Sequence, residues 1–183
     1  MERFTKEDCL RTEEVSLKNR VVVLKEGALP IGHPDQLFVC LVEGGVSGTF
    51  PIFASLSTGE IHHIPRRAVL GLLKPELLPE EAKLQLSQIR PGNARDLRSC
   101  EAEYSGYSFL ADGRYTSGVW LTSPQEAMDY VEMQKDYQHR VLICDRDDFA
   151  VMEVMEGELI FPDREKLEAF RNSRKQDRGM QMT

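Results

Sequence analysis

Short apolar runs separated by turn residues dominate the first half of the chain. Four of these runs are rich in apolar and β-branched residues: residues 20–25, 36–42, 50–56 and 61–64. Runs of this length and composition are typical of β-strands. The sequence Ser57-Thr58-Gly59-Glu60, between the last two runs, favours a hairpin turn. The pattern predicts a small, mostly antiparallel sheet in this half.

Two helices are predicted to follow that sheet. Residues 66–73 are compact and apolar, and Pro79 followed by two glutamates is typical of a helix start. From the residue before Pro79 onward, apolar residues recur at helical spacing at Leu78, Ala82, Leu86 and Ile89. We expect this stripe to pack on the sheet.

The second half shows a different order of elements. Strands are predicted at 107–110 and 115–121, joined across Asp112-Gly113, and then at 140–144, 149–155 and 158–161. Between them, Ser123-Pro124-Gln125-Glu126 has the form of a capping box at the start of an amphipathic helix. A final short helix is expected from Pro162. This half is therefore predicted to be a β-β-α-β-β-β-α unit.

The predicted fold class is α+β: a small, mostly antiparallel sheet with two C-terminal helices, followed by the second, β-β-α-β-β-β-α unit. The polar stretch that begins at Arg90-Pro91-Gly92-Asn93 is the best candidate for a domain boundary. The sequence thus predicts four segments: a flexible arm (1–18), an N-terminal α+β domain (19–92), a C-terminal α+β domain (104–172) and a disordered tail (173–183).

Charge argues against general nucleic-acid binding. The chain has 41% hydrophobic residues, which is typical of a folded protein, and a net charge of −7. One basic cluster stands out near the C-terminus, and it is the only candidate for a nucleic-acid contact: Arg171, Arg174, Lys175 and Arg178. A solvated tail is the preferred interpretation of this cluster, because it lacks the aromatic residues on which bases stack.

The sequence predicts a cytoplasmic protein. Its apolar runs are far shorter than the roughly 20 residues needed to cross a bilayer, so we expect no membrane-spanning segment. The first residues lack the apolar stretch of a secretory signal. The four cysteines are widely spaced and form no C-x-x-C pair, which favours reduced, structural thiols.

An acidic cluster follows the predicted strand 140–144. Asp145, Asp147 and Asp148 could hold Mg²⁺ beside a phosphate, because carboxylate oxygens are preferred ligands of hard cations. This arrangement supports a metal-assisted hydrolase or phosphotransfer enzyme as an alternative function. The preferred interpretation is a solvated turn between two strands, because aspartate is a common turn residue.

The histidines offer weaker candidates for chemistry. His62 and His63 are adjacent on a predicted strand, so they should point to opposite faces and cannot ligate one metal together. One of them could act as a general base with Glu60, although an ordinary strand histidine is the preferred interpretation. His33 and His139 stand alone in the sequence. No catalytic residue and no cofactor is predicted.

Aromatic residues cluster at the start of the second half. Tyr104, Tyr107, Tyr115 and Trp120 are the predicted partner-binding residues, because strand alternation should leave some of them away from the helix. Exposed aromatic side chains beside polar residues are typical of protein-binding surfaces. Packing in the core is the alternative, since aromatic residues also dominate small cores.

Residues about 20–89 resemble a domain of unknown function that is found on conjugative and other mobile elements of gut bacteria. The resemblance rests on Val21-Val22-Val23-Leu24-Lys25, Gln36-Leu37-Phe38, Gly44-Gly45, Gly59-Glu60, Arg67, Gly71, Lys74 and Glu76-Leu77-Leu78-Pro79. Members often have tryptophan or asparagine just before the arginine of the short helix, where this chain has Ile64-Pro65-Arg66-Arg67. The resemblance implies a bacterial accessory protein. The function predicted from the sequence is a non-enzymatic accessory or protein-interaction role with a protein partner.

Overall fold

The protein is mostly β and consists of two compact units. The computed structural model describes residues 3–12, 15–44, 50–92 and 101–163, together with positions 165, 168 and 169. The units are Met1–Asn93 and Ala94–Thr183. Each contains one antiparallel sheet, of six strands in the first and five in the second. Within the described ranges, no helix has the length and apolar character required to cross a bilayer.

The first unit contains six strands and one helix. The strands are β1 (Cys9–Leu10), β2 (Val21–Leu24), β3 (Leu37–Val42), β4 (Ile52–Ser55), β5 (Ile61–His63) and β6 (Val69–Leu73), and the helix is α1 (Glu80–Ser87). Their order across the sheet is β1-β6-β2-β3-β4-β5. Strands β2 and β3 therefore lie in the middle, and β5 forms one edge.

The central strand β2 is covered on both faces. All four of its side chains, Val21–Leu24, are fully buried. Val22 and Leu24 belong to a core cluster with residues such as Phe38 and Phe53 of the neighbouring strands. Because alternate side chains of a strand point to opposite faces, Val21 and Val23 are buried on the other face. A continuous apolar run is the pattern expected of such a strand.

The second unit is a five-stranded sheet with a helix on one face. Its elements are β7 (Tyr104–Phe109), β8 (Val119–Leu121), α2 (Pro124–Gln134), β9 (Arg140–Asp145), β10 (Ala150–Met155) and β11 (Glu158–Phe161). Their order across the sheet is β11-β10-β9-β7-β8. The two edges are therefore β8 and β11.

Helix α2 begins at the predicted capping box and packs on the sheet. The Ser123 hydroxyl accepts the Glu126 N–H at 3.2 Å, and the Glu126 carboxylate accepts the Thr122 N–H at 2.7 Å. Its apolar side joins the core of the unit. Tyr130 lies so close to β7 that a Cβ on Gly106 would be 2.7 Å from its ring. Only glycine at that position allows this contact between helix and sheet.

The α+β fold predicted from the sequence is wrong, because strands dominate both units and two α-helices accompany eleven strands in the described ranges. Residues 66–73, predicted as a helix, form a 3₁₀ turn (Arg66–Ala68) followed by β6. Strand β6 pairs with both β1 and β2, and these pairings outweigh the weak local preference of the segment. The predicted helix after Pro162 falls largely on residues outside the described ranges.

Part of the segment predicted as an arm, 1–18, contributes to the first sheet. Cys9 pairs with Leu73 and Leu10 with Leu72 in the ladder between β1 and β6. Leu17 is fully buried in the core cluster of the unit. The domain limits 19–92 and 104–172 stay predictions, and the tail 173–183 and all four residues of the basic cluster lie outside the described residues.

Candidate functional site

The aromatic residues predicted to bind a partner lie on β7, on β8 and in the connection between them. Strand alternation separates one of them from the rest. Tyr104 packs at the margin of the core on the face that α2 covers. Trp120 pairs directly with Ser105, so its side chain lies on the opposite face, which it shares with Tyr107 two residues along β7. The structure therefore brings Tyr107 and Trp120 together and places Tyr104 elsewhere.

The opposite face also carries Phe109 and Tyr115. These two residues form an isolated bridge, and their ring centroids are 5.0 Å apart. The guanidinium of Arg140 lies 5.1 Å from the centroid of the Phe109 ring. Trp120 is 68% exposed and Tyr115 is 58% exposed. We call this surface the aromatic face, which consists of Tyr107, Phe109, Tyr115 and Trp120.

The backbone of Trp120 is directed toward the open edge of the sheet. The C=O of Leu121 accepts the Glu103 N–H at 2.9 Å, so Leu121 faces β7. Along an antiparallel strand, the backbone groups of neighbouring residues point alternately to one side and the other. The N–H and C=O of Trp120 therefore point away from β7. On that side β8 has no neighbouring strand among the described residues.

The two edges of this sheet differ in how they are protected. Strand β8 has the sequence Val119-Trp120-Leu121, without a charge or a proline. Strand β11 begins with Glu158 and is followed directly by Pro162. Charged residues and prolines discourage the addition of a further strand to an exposed edge. Of the two edges, β8 is the one suited to pairing with another chain.

The acidic cluster forms the turn between β9 and β10. The Asp145 carboxylate accepts the N–H groups of Asp147 and Phe149 at 2.9 and 3.0 Å. Asp148 has a positive φ of 63°, a conformation that aspartate tolerates in turns. The Asp145 carboxylate thus has a structural role in the turn. A metal site at Asp145, Asp147 and Asp148 stays a prediction, and these hydrogen bonds give it no support.

A different set of residues converges in the first unit. Among the described residues, one group of three or more potential ligands lies close enough to share an ion: His33, Glu60 and His62. Glu60 Oε2 is 2.8 Å from His33 Nε2 and 3.9 Å from His62 Nε2. The two imidazole rings are nearly perpendicular, with centroids 4.6 Å apart.

Burial and the neighbouring His33 lower the pKa of His62, while the Glu60 carboxylate acts in the opposite direction. The lowered pKa favours the neutral form of His62, and a neutral imidazole offers a lone pair. The expectation that His62 and His63 point to opposite sides of the strand agrees with their pairing, since they lie opposite consecutive residues of β4.

Sequence reasoning missed His33 as a member of this group. His33 lies 27 residues before Glu60, in the turn-rich stretch before β3, and no residue near it in the sequence indicates a shared site. Its proximity to His62 depends on the pairing of β3, β4 and β5, which brings both rings near Phe38. One sequence signal for this group is the turn Ser57-Thr58-Gly59-Glu60, because it places Glu60 immediately before β5 and therefore close to His62.

Neither family models, nor curated proteins, nor solved structures gave a match to this chain.

Proposed function

We propose that the protein binds an extended segment of a partner protein, which adds as a strand to β8 and contacts the side chain of Trp120. The observation that carries this proposal concerns Trp120 on the edge strand β8. Its side chain is exposed, and its backbone N–H and C=O are directed away from the sheet. In strand addition the backbone bonds supply affinity, and the alternating side chains supply specificity.

The charge around β8 favours a basic partner. Tyr104 pairs with Leu121 on one side and with Asp145 on the other, so the acidic turn lies level with the end of β8. Asp147 and Asp148 are exposed in that turn. Lysine and arginine also bind favourably to the face of an exposed tryptophan ring. The partner segment is therefore an extended one with basic residues alternating with apolar ones.

This proposal keeps the non-enzymatic interaction role expected from the sequence. An accessory function in a bacterium that carries mobile elements, and a cytoplasmic location, belong to the same proposal. Their support is the resemblance of residues 20–89 and the composition of the chain. The strand pairings of the second unit directly support one part of the proposal, which is the basic character of the partner segment.

The test uses a fluorescein-labelled, alternating Lys-Val peptide as the probe and the full chain as the receptor. Binding is followed by fluorescence anisotropy, and the wild-type chain is expected to bind this peptide but not a matched Glu-Val peptide. Trp120→Ala is expected to weaken binding by about 30-fold or more, because central aromatic contacts contribute roughly 2 kcal/mol or more. Trp120 is the single tryptophan of the chain, so its emission gives a second readout for the wild type.

The matched control is Ile160→Lys on the opposite edge strand, whose side chain is also exposed. This variant is expected to bind the Lys-Val peptide as the wild type does. Trp120→Lys places a charge on β8 and is expected to abolish binding. Equal affinity of the wild type and Trp120→Lys would contradict the proposal, as would equal binding of the Lys-Val and Glu-Val peptides.

A further inference from the structure

We propose that His33, Glu60 and His62 form a binding site for a divalent transition metal ion, with Zn²⁺ as the ion that best matches the ligands. This site lies in the first unit and is independent of the interaction proposed for the second. It requires no residue beyond those three side chains. The distances between the side chains, the chemistry of the ligand set and one buried nitrogen atom support this site.

The three side chains are already arranged around a common point. Their potential ligand atoms all lie within 4.8 Å of one another. Zinc binds nitrogen and oxygen ligands at about 2.0–2.2 Å, so ligand atoms on one ion lie roughly 3–4 Å apart. The separations of 2.8 and 3.9 Å between Glu60 and the two histidines bracket this range. The Glu60 side chain is exposed, so it is free to rotate to accommodate an ion.

The Nε2 atom of His62 is buried and has no hydrogen-bond partner among the described residues. A buried polar atom without a partner is costly, so such atoms in folded proteins call for an explanation. Glu60 Oε2 lies 3.9 Å from this nitrogen, which is beyond hydrogen-bonding distance. A metal ion between these two atoms gives the His62 nitrogen the partner that the protein does not supply.

The surroundings hold the ligands in place. Glu60 lies at the end of the β4–β5 hairpin, where its C=O accepts the Ser55 N–H at 2.8 Å. The Thr58 hydroxyl donates to Glu60 Oε2 at 3.4 Å. Hydrogen bonds to a ligating carboxylate orient it, and such partners support metal affinity. His33 has a side chain that is only 8% exposed, so its ring has little freedom to turn away.

The ligand set selects the class of ion. Imidazole nitrogens suit zinc and other first-row transition metals, whereas Mg²⁺ and Ca²⁺ require oxygen ligands. Two histidines and one glutamate form a three-residue set that leaves at least one coordination position for water or another ligand. A closed structural zinc site has four protein ligands instead. The first unit therefore has the ligands of an open zinc site, with a position at which a further group can bind.

The experiment is isothermal titration of the chelator-treated full chain with Zn²⁺. One high-affinity site is expected in the wild type. His62→Ala and Glu60→Gln remove direct ligands and are expected to weaken binding by more than the roughly 10- to 100-fold that the loss of an outer hydrogen-bond partner costs. Co²⁺ gives an independent readout, since its visible absorption spectrum depends on the nitrogen ligands and coordination number.

His63→Ala is the matched control, because it removes the neighbouring, exposed imidazole of the same strand. This variant is expected to bind Zn²⁺ with unchanged affinity. Circular dichroism of each variant establishes that the fold is retained, and His62→Gln serves as a second substitution if His62→Ala does not fold. Wild-type affinity in His62→Ala and Glu60→Gln, or an equal loss in His63→Ala, would overturn the proposal.

Discussion

The strands of the two units differ in how many of their faces are covered. Every side chain of β2 in the first unit is fully buried. In β10 of the second unit, Met152 and Val154 are buried, whereas the residues that alternate with them are only half-buried. The first pattern leaves no surface in the middle of its sheet. The second leaves one face and one edge accessible, and that is where the aromatic face lies.

This difference shows where a functional surface can form in each sheet. In the first unit two of the three candidate ligands, Glu60 and His62, lie at the edge strand β5 and its hairpin, whereas the side chains of the central strand β2 are fully buried. In the second unit an exposed edge and an exposed face adjoin at Trp120. Covered strands contribute stability, and strands with a free face or a free edge can bind other molecules.

The largest expected effect on stability comes from replacing a leucine by alanine in a strand of each sheet. Leu24→Ala in β2 removes a side chain with no exposed surface, and we expect it to lower the free energy of unfolding of the first unit by about 2–5 kcal/mol. Leu142→Ala in β9 removes a half-buried leucine on the face away from α2. Its expected cost to the second unit is about 1 kcal/mol, since a half-buried side chain removes less apolar surface from water when the protein folds.

Native-state hydrogen exchange measures both costs, because it reports stability unit by unit. Strand β9 pairs with β7 and β10, so amides of those strands are the reporters for Leu142→Ala. Equal costs for the two substitutions would show that both faces of β9 are covered as completely as those of β2, and the comparison between the units would fail.

A smaller effect is expected on the covered face of the second sheet. A Cβ on Gly106 would lie 2.7 Å from the ring of Tyr130, which is fully buried. Gly106→Ala should therefore force α2 away from β7 and cost about 1–3 kcal/mol, as overpacked cores do. Urea denaturation monitored by circular dichroism measures the change.

Gly27→Ala is the control for this substitution, because nothing lies within 4 Å of a Cβ at that position. We expect it to leave stability nearly unchanged. If Gly106→Ala were equally harmless, α2 would not be packed against β7 as closely as these distances require.

Local sequence patterns predicted the features that depend on neighbouring residues. The runs that became β2, β3 and β4 are apolar and bounded by turns, and Ser123 and Glu126 marked the start of α2. The segment 69–73 was assigned to the wrong element because its strand conformation depends on pairing with β1 and β2. Five consecutive residues with no polar residue among them have no periodicity that separates strand from helix.

The candidate sites illustrate the same limit. Three aspartates close together in sequence favour a turn, with a metal site as the alternative, and the Asp145 carboxylate accepts two backbone N–H groups of that turn. His33, Glu60 and His62 converge only because separate strands of the sheet pair. Alternation along β7 and β8 was enough to predict that some aromatic residues face away from α2. It did not identify which strand would be at the edge, since that depends on the order of the whole sheet.

The smallest expected effect on stability concerns Trp120. Its side chain is 68% exposed and lies outside the core cluster of the second unit. Surface substitutions of this kind usually change the free energy of unfolding by less than about 0.5 kcal/mol, so Trp120→Ser should leave stability within that limit. Urea denaturation followed by far-ultraviolet circular dichroism measures it, because the variant has no tryptophan emission. Leu121→Ser on the same strand removes a fully buried side chain and should be clearly destabilising. A large loss in Trp120→Ser would mean that this ring is part of the folded core, and the accessible edge in the second unit would then have no aromatic contact residue.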